Sequence, residues 1–254
     1  MAEQWAQGRI ALVTGATSGF GEAMTRRLLA AGAKVIATGR RTERLEKLAT
    51  ELATDRLLTR ELDVTSEASI AALLPGLPAE FEAIDILYNN AGLALGRYPF
   101  WESNPEDEER VLHTNVDGVM RMTRLTLPHI RDGGHILFMG SVAGRQAYPN
   151  AASYVTAKFG LRGFVYALRE DLLGRPIRIT TVDAGLVETE FSIVRFKGDV
   201  DKAKEVYRGI DPLTAEDIAE CVVFAVTRPP HVNVDEIVVK ALAQSSGGRI
   251  LRNA

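Results

Sequence analysis

Short apolar runs alternate along the chain with longer stretches whose apolar positions recur at helical spacing. Ile10-Ala11-Leu12-Val13 is the first apolar run, and helix-like sequence follows over 22–31. Strand-like segments then recur at 34–38, 56–62, 84–88, 135–139, 177–182 and 236–239. Helix-like segments lie between them at 66–77, 104–130, 151–173 and 214–227. Apolar runs without polar alternation are buried on both faces, so the pattern predicts a seven-stranded parallel sheet with helices on both sides, a doubly wound α/β fold. Ligands of such sheets bind beyond the carboxyl ends of the strands. Asp63, Asn89 to Gly92, Ser141 and Asp183 to Gly185 occupy those ends.

The first strand runs straight into Thr14-Gly15-Ala16-Thr17-Ser18-Gly19-Phe20-Gly21 and then into a helix. Glycines let a backbone turn tightly against a pyrophosphate, and a helix N-terminus offers free N–H groups and partial positive charge to hold it. Gly32 can end that helix before the strand at 34–38, completing a βαβ unit that predicts dinucleotide binding. After the second strand comes Gly39-Arg40-Arg41, with no carboxylate before Glu43. An acidic residue there would take a ribose 2′-hydroxyl, whereas guanidiniums suit the 2′-phosphate of NADP. The competing reading is the start of a solvated charged helix, which fits Glu43, Arg44, Glu46 and Lys47. Asp63-Val64 either covers the adenine or caps the helix before Ser66. Asn90-Ala91-Gly92 either lines the cofactor or secures a loop.

Tyr154 and Lys158 stand four apart in a helix-like segment, which places phenol and ammonium on one face. A fixed positive charge lowers a phenol's pKa from about 10 toward the range where an acid–base catalyst works. By itself the spacing is also that of an ordinary helix face. Ser141, just beyond the strand at 135–139, is placed to hold a substrate carbonyl. Asn115 interrupts an apolar helical face, as a structural hydrogen-bonder or as part of a proton path. Asn104-Pro105 followed by Glu106, Asp107, Glu108 and Glu109 reads as a capped helix start without catalysis. The mixed, charged segment over 186–211, with Arg195, Lys197, Lys202 and Lys204, suggests a lid.

Composition narrows the function. At 254 residues and 46% hydrophobic content the chain can bury a sizeable core, and without a linker or repeat one domain over 1–254 is expected. A net charge of -3 gives no reason to expect nucleic acid or an anionic membrane as partner, which leaves small-molecule chemistry. The single Cys221 lies in an apolar run as a core thiol and allows no disulfide within the chain. That cysteine usage, with no signal pattern over 1–9 and no run long enough to span a membrane, points to a cytoplasmic protein. His113, His129, His135 and His231 lack metal-ligand spacing, so no metal site is expected.

Taken together, Thr14-Gly15, Gly19-Phe20-Gly21, Asn89-Asn90-Ala91-Gly92, Asn115, Ser141 and Tyr154-xxx-Lys158 have the order and spacing of the short-chain dehydrogenase/reductase family, which the chain resembles over nearly its whole length. The resemblance implies a Rossmann-type sheet and a catalytic tetrad of Asn115, Ser141, Tyr154 and Lys158, with Gly185, Val187 and Thr189 also beside the cofactor. Ala184-Gly185 stands where the family usually has Pro-Gly. The stretches 15–22, 37–41, 90–96 and 191–199 resemble the branch of NADP-dependent 3-hydroxy acid dehydrogenases, acting on serine, L-allo-threonine and related acids and commonly tetrameric. Similar sequences include sulfoacetaldehyde reductases. The resemblance therefore implies an NADP(H)-dependent oxidoreductase, a homotetramer or homodimer, acting on small 3-hydroxy acids. A reductase of other small aldehydes or ketones is the alternative, and a non-catalytic dinucleotide-binding regulator is a third reading. For a substrate carboxylate, Arg195 is the first candidate cation and Arg145 the second.

Overall fold

Seven strands form one parallel sheet in a computed structural model of the chain, which describes residues 4–253. The strands are β1 Ile10–Val13, β2 Lys34–Gly39, β3 Leu57–Glu61, β4 Ile84–Asn89, β5 Ile130–Met139, β6 Arg178–Ala184 and β7 Glu236–Val239. Their order across the sheet is β3-β2-β1-β4-β5-β6-β7, so the direction of winding reverses between β1 and β4. The helices are α1 Gly19–Ala30, α2 Thr42–Leu52, α3 Glu67–Leu73, α4 Pro105–Leu112, α5 Gly118–Thr126, α6 Ala152–Asp171, α7 Phe191–Arg195, α8 Val200–Glu205 and α9 Ala215–Val226.

Two cores, one on each face of the sheet, explain the unbroken apolar runs. In β1, Ala11 and Val13 join one core while Ile10 and Leu12 join the other. β5 repeats this, with Leu137 and Met139 on one face and Ile136 and Phe138 on the opposite one. Met24 and Leu28 of α1 and Ile218 and Val222 of α9 close the first face, and Met122 of α5 with Leu161 and Val165 of α6 closes the second. Each such side chain contributes roughly 1.5–3 kcal/mol by leaving water. Cys221 on α9 is only half-buried, less enclosed than a core thiol, and partial burial raises its pKa.

The segment expected as one helix over 104–130 is several elements. Asn104 caps α4 by accepting from the N–H groups of Glu106 and Asp107. A π-helical turn over His113–Asp117 then separates α4 from α5, with Gly118 N–H donating to the His113 carbonyl. Pro128, which cannot donate a helical hydrogen bond, sits in a short 3-10 turn before β5 begins at Ile130. β5 therefore starts earlier than its apolar run, and its pairing with β4 shifts register between Ile84 and Ile86.

His135 of β5 illustrates how burial sets a protonation state. The Thr180 hydroxyl donates to Val234 O at 2.6 Å, so His135 Nε2 must donate to Thr180 Oγ1 at 2.8 Å. Nδ1 is then a buried lone pair without a partner. Burial, reinforced by Arg178 and Arg9, pulls the imidazole pKa down to about 3. The unfolded state binds the extra proton below its own pKa of about 6.5, so this group's contribution to stability is complete above that pH and falls as pH drops toward 3. His135→Gln, which keeps a donor but cannot titrate, should flatten the loss of thermal midpoint between about pH 7 and pH 5. An unchanged pH slope in the variant would show that other groups govern acid stability.

Candidate active site

The site grows from the ends of β1 and β4. Thr14 Oγ1 accepts the backbone N–H groups of Asn90 and Ala91, each at 3.0 Å, and Asn90 Nδ2 returns bonds to Thr14 O and Gly15 O at 2.9 and 3.1 Å. Gly15 has φ +67° and Gly19 φ +54°, conformations that glycine adopts without strain. At Gly21 a Cβ would lie 2.3 Å from Gly15 O and 2.5 Å from Asn90 Nδ2, so a side chain there would push the two strand ends apart. Ala16 is fully buried and donates its N–H to Thr38 O at 2.8 Å. Ala16 and Gly21 thus fix the turn from behind, while Gly15, Thr17, Ser18, Gly19 and Phe20 line the cleft of about 300 Å³ beside it.

The N-terminus of α1 opens on this cleft. Ser18 spends no side-chain hydrogen bond on capping α1. Its hydroxyl instead accepts from Arg41 Nη2 at 2.7 Å, which leaves the first N–H groups of the helix free for an anion. Arg41 also donates to Thr17 Oγ1 through Nε and Nη2, and Arg40 stands exposed on the same wall. Two guanidiniums and two hydroxyls next to a glycine turn make a seat for a phosphorylated ribose. Asp63 and Val64 line the far end. Asp63 accepts from the Thr65 N–H and hydroxyl, whereas Ser66 caps α3, so the alternative of Asp63 as the cap is set aside.

Tyr154 and Lys158 of α6 and Asn115 lie at the inner end of the same cleft. Burial pushes the Tyr154 phenol up to about 12, with Tyr148 adding to the rise; Arg195 and Ser141 oppose it. Burial brings Lys158 down to about 8, against the opposing charge of Asp183. The sequence suggested that Lys158 activates the phenol. Here its Nζ donates to Met139 O at 2.8 Å and stands 5.7 Å from the Tyr154 ring centre. Arg195 also stands beside the phenol and opposes the rise, its guanidinium carbon 5.1 Å from the ring centre of Tyr154 and 5.0 Å from that of Phe191. Asn115 sits in the π turn and donates from Nδ2 to Leu93 O and Val111 O, which turns its Oδ1 toward Gly92 without a partner. A buried acceptor in that position is placed to hold a water.

Ser141 is buried at the end of β5, with its N–H donated to Asp183 Oδ1 and its Oγ accepting from Ala143 N–H. Arg145, the second candidate for a substrate anion, is not available for one. Its guanidinium pairs with Asp183 and Glu236, away from the cleft. Gly185 and Val187 are not on the cleft wall either. Gly185 packs on Gln244 and Lys240, and Val187 bridges to Leu213, so they anchor the segment that brings Thr189 to the wall. Glu190, Phe191 and Val194 also line the cleft and were not singled out from the sequence. The adjacent Thr189 and, for Phe191 and Val194, their place in the 191–199 stretch were the pointers to them. Among the described residues no cluster suits a metal ion, and no helix is long and apolar enough to cross a membrane.

Residues 9–199 match the short chain dehydrogenase family. The chain belongs to that family. Among other members of the family, the NADP-dependent 3-hydroxy acid dehydrogenase YdfG of Escherichia coli strain K12 is 48% identical over 242 residues, 94% of this chain and 97% of that protein. Serine 3-dehydrogenase of Agrobacterium fabrum is 40% identical, covering 93% of this chain and 95% of its own length. A closed form of serine dehydrogenase complexed with NADP+ superposes with a TM-score of 0.91 at 46% identity, over 96% of this chain and all of the other. In this short-chain dehydrogenase the guanidinium seat gives a direct test. Arg40→Ala combined with Arg41→Ala should raise the dissociation constant of a 2′-phosphorylated dinucleotide about tenfold or more, the size of losing charge-assisted bonds, with little change for the unphosphorylated one. Equal weakening of both in a fluorescence titration would remove the assignment.

Proposed function

We propose that the chain is an NADP(H)-dependent oxidoreductase of small 3-hydroxy acids. The observation that carries the proposal is Arg195, whose guanidinium lies 5.1 Å from the Tyr154 ring centre in a small pocket that adjoins, at Tyr154, a cleft whose outer end is a seat for a 2′-phosphate. The cleft fits the cofactor in three ways: a glycine turn that no Cβ would allow at Gly21, an uncapped helix N-terminus, and paired guanidiniums. Gly15 to Gly19 with Arg40 and Arg41 would hold NADP, with Asp63 and Val64 at the adenine and Asn90, Ala91, Gly92 and Thr189 along the inner wall; when bound it supplies or accepts the hydride. The names of the relatives, an NADP-dependent 3-hydroxy acid dehydrogenase and a serine 3-dehydrogenase, support the same reading.

The protein's own share is proton transfer and orientation. Tyr154 donates its proton to the substrate oxygen in reduction and takes it back in oxidation, and Ser141 holds that oxygen as charge develops on it. Lys158, poised near 8 by burial, passes protons between Tyr154 and a water on Asn115 Oδ1. Arg195 binds the substrate carboxylate and stabilises the phenolate face to face with it. The segment 186–211, carrying α7 and α8, serves as the lid, since Phe191 and Arg195 cover Tyr154.

A panel of L-serine, L-allo-threonine, 3-hydroxyisobutyrate and 3-hydroxypropionate with NADP, run beside sulfoacetaldehyde and uncharged carbonyls with NADPH, tests this reading. The hydroxy acids should turn over well above the carbonyl compounds. Tyr154→Phe should lose at least about 100-fold in turnover while still binding NADPH. Arg195→Gln should raise KM about tenfold or more for the acids only, and should lower turnover of acids and uncharged substrates alike, since the phenol loses a cation beside it. Activity confined to uncharged carbonyls would discard the hydroxy-acid assignment.

Self-association completes the proposal, as a homotetramer or a homodimer in the cytoplasm, with Cys221 as a free thiol. Phe159 and Tyr166 of α6, Phe224 of α9 and Val238 of β7 are exposed, and the Tyr166 hydroxyl reaches Glu236 at the start of β7. Apolar side chains of this size on regular elements suit interfaces between copies. Light scattering should give two or four times 27.7 kDa, and a monomer at micromolar concentration would refute the assembly.

A further inference from the structure

A carboxylate from the lid reaches across the cofactor cleft. Glu190, next to the first residue of α7, accepts from Arg41 Nη1 at 2.9 Å and from Arg44 Nη1 at 2.6 Å. Arg41's remaining donors face Thr17 and Ser18, so the rest of its hydrogen-bonding edge is closed by Glu190. Carboxylate and phosphate use the same guanidinium edge in the same bidentate way. Burial resists ionisation of Glu190, but Arg44 and Arg41 outweigh it and hold the carboxyl below its ordinary value.

We infer that Glu190 is a cofactor-specificity residue: its carboxylate holds the place on Arg41 that the 2′-phosphate of NADP takes, so that NADP has to displace it and NAD does not. The inference rests on the NADP reading given above. A phosphate dianion and a carboxylate on one guanidinium repel each other, and Arg44 is the cation to which the displaced Glu190 stays bound. Arg40, exposed on the cleft wall, is free to join Arg41 on the phosphate. The exchange also reaches the reacting centre. Glu190 leads directly into Phe191, which stacks near Tyr154 at 5.7 Å between ring centres, and into Arg195 one helical turn later. Release of Glu190 from Arg41 therefore loosens the tether between the adenosine end of the cleft and the helix that covers the phenol.

The test is fluorescence titration of the full chain and its Glu190→Gln variant with NADPH and with NADH. The variant should bind NADPH about three- to tenfold more tightly, the worth of removing one competing, partly exposed charge. NADH affinity should stay within about twofold, and the gain for NADPH should shrink in about 0.5 M salt as screening weakens the competition. Binding of 2′-AMP should sharpen in the same way, and that of 5′-AMP should not. Equal shifts for NADPH and NADH, or weaker NADPH binding by the variant, would overturn the inference. A wild-type protein that binds NADH as tightly as NADPH would instead remove the NADP reading, and the inference with it.

Discussion

The hydrogen bonds between Thr14 and Asn90 hold the ends of β1 and β4 together, and the site depends on them. Parallel strands whose connections run to opposite sides leave a crevice at the reversal, and here the small residues Gly15, Ala91 and Gly92 line it at the ends of β1 and β4. Thr14 Oγ1 takes two N–H groups from one loop, while Asn90 gives two bonds to the other. The pairing leaves no room for a Cβ at Gly21 and sets Gly15 in the left-handed region. It thereby aims α1 at the crevice. A helix N-terminus elsewhere on the surface would be solvated; here its free N–H groups face a space in which only a ligand's anion is matched to them.

Burial at the inner end of the cleft acts on Tyr154 and Lys158 in opposite senses, and both shifts favour the neutral form. A dry site stores a proton on the phenol and loosens one on the ammonium, so a nearby charge has large leverage over either. Arg195 is such a charge, and it sits on the short α7, where its backbone carbonyl accepts the Gly96 N–H at 2.8 Å. On the proposed reading of 186–211 as a lid, covering Tyr154 and tuning its phenol are one event. A lid built from apolar residues alone would exclude water yet deepen the penalty on the phenolate.

Much of this could be read from the sequence because parallel strands bury both faces and so appear as uninterrupted apolar runs, as β1 and β5 do. The glycine turn and the Tyr154–Lys158 pair were equally legible, since local spacing dictates their geometry. The π turn at 113–117 was not, because a helix that widens by one residue keeps nearly the same apolar pattern. The sequence ranked Arg195 above Arg145 but carried no sign of what engages either side chain. The two are the same residue type, one after β5 and one after β6, and what engages them lies far along the chain: Asp183 and Glu236 for the first, the face of Tyr154 for the second. The bond from Glu190 to Arg41 spans 149 positions and had no local sign at all.

Arg145 still matters to the chemistry, by a route other than substrate binding. Asp183 is buried at the end of β6, where burial pushes its carboxyl pKa up and Arg145 works against that rise. Its Oδ1 accepts the Ser141 N–H, and a Cβ at Gly140 would fall 1.8 Å from the same oxygen, so the strand end is shaped around this carboxylate. Left unpaired, an ionised Asp183 would raise the Tyr154 pKa further, and an uncompensated buried charge of this kind costs about 3–5 kcal/mol. By neutralising it, Arg145 allows one carboxylate to fix the backbone of Ser141 without spoiling the phenol beside it. The two arginines thus differ in what they neutralise: Arg145 cancels a charge that the architecture requires, and Arg195 opposes the effect of burial on the phenol that the proposed chemistry uses.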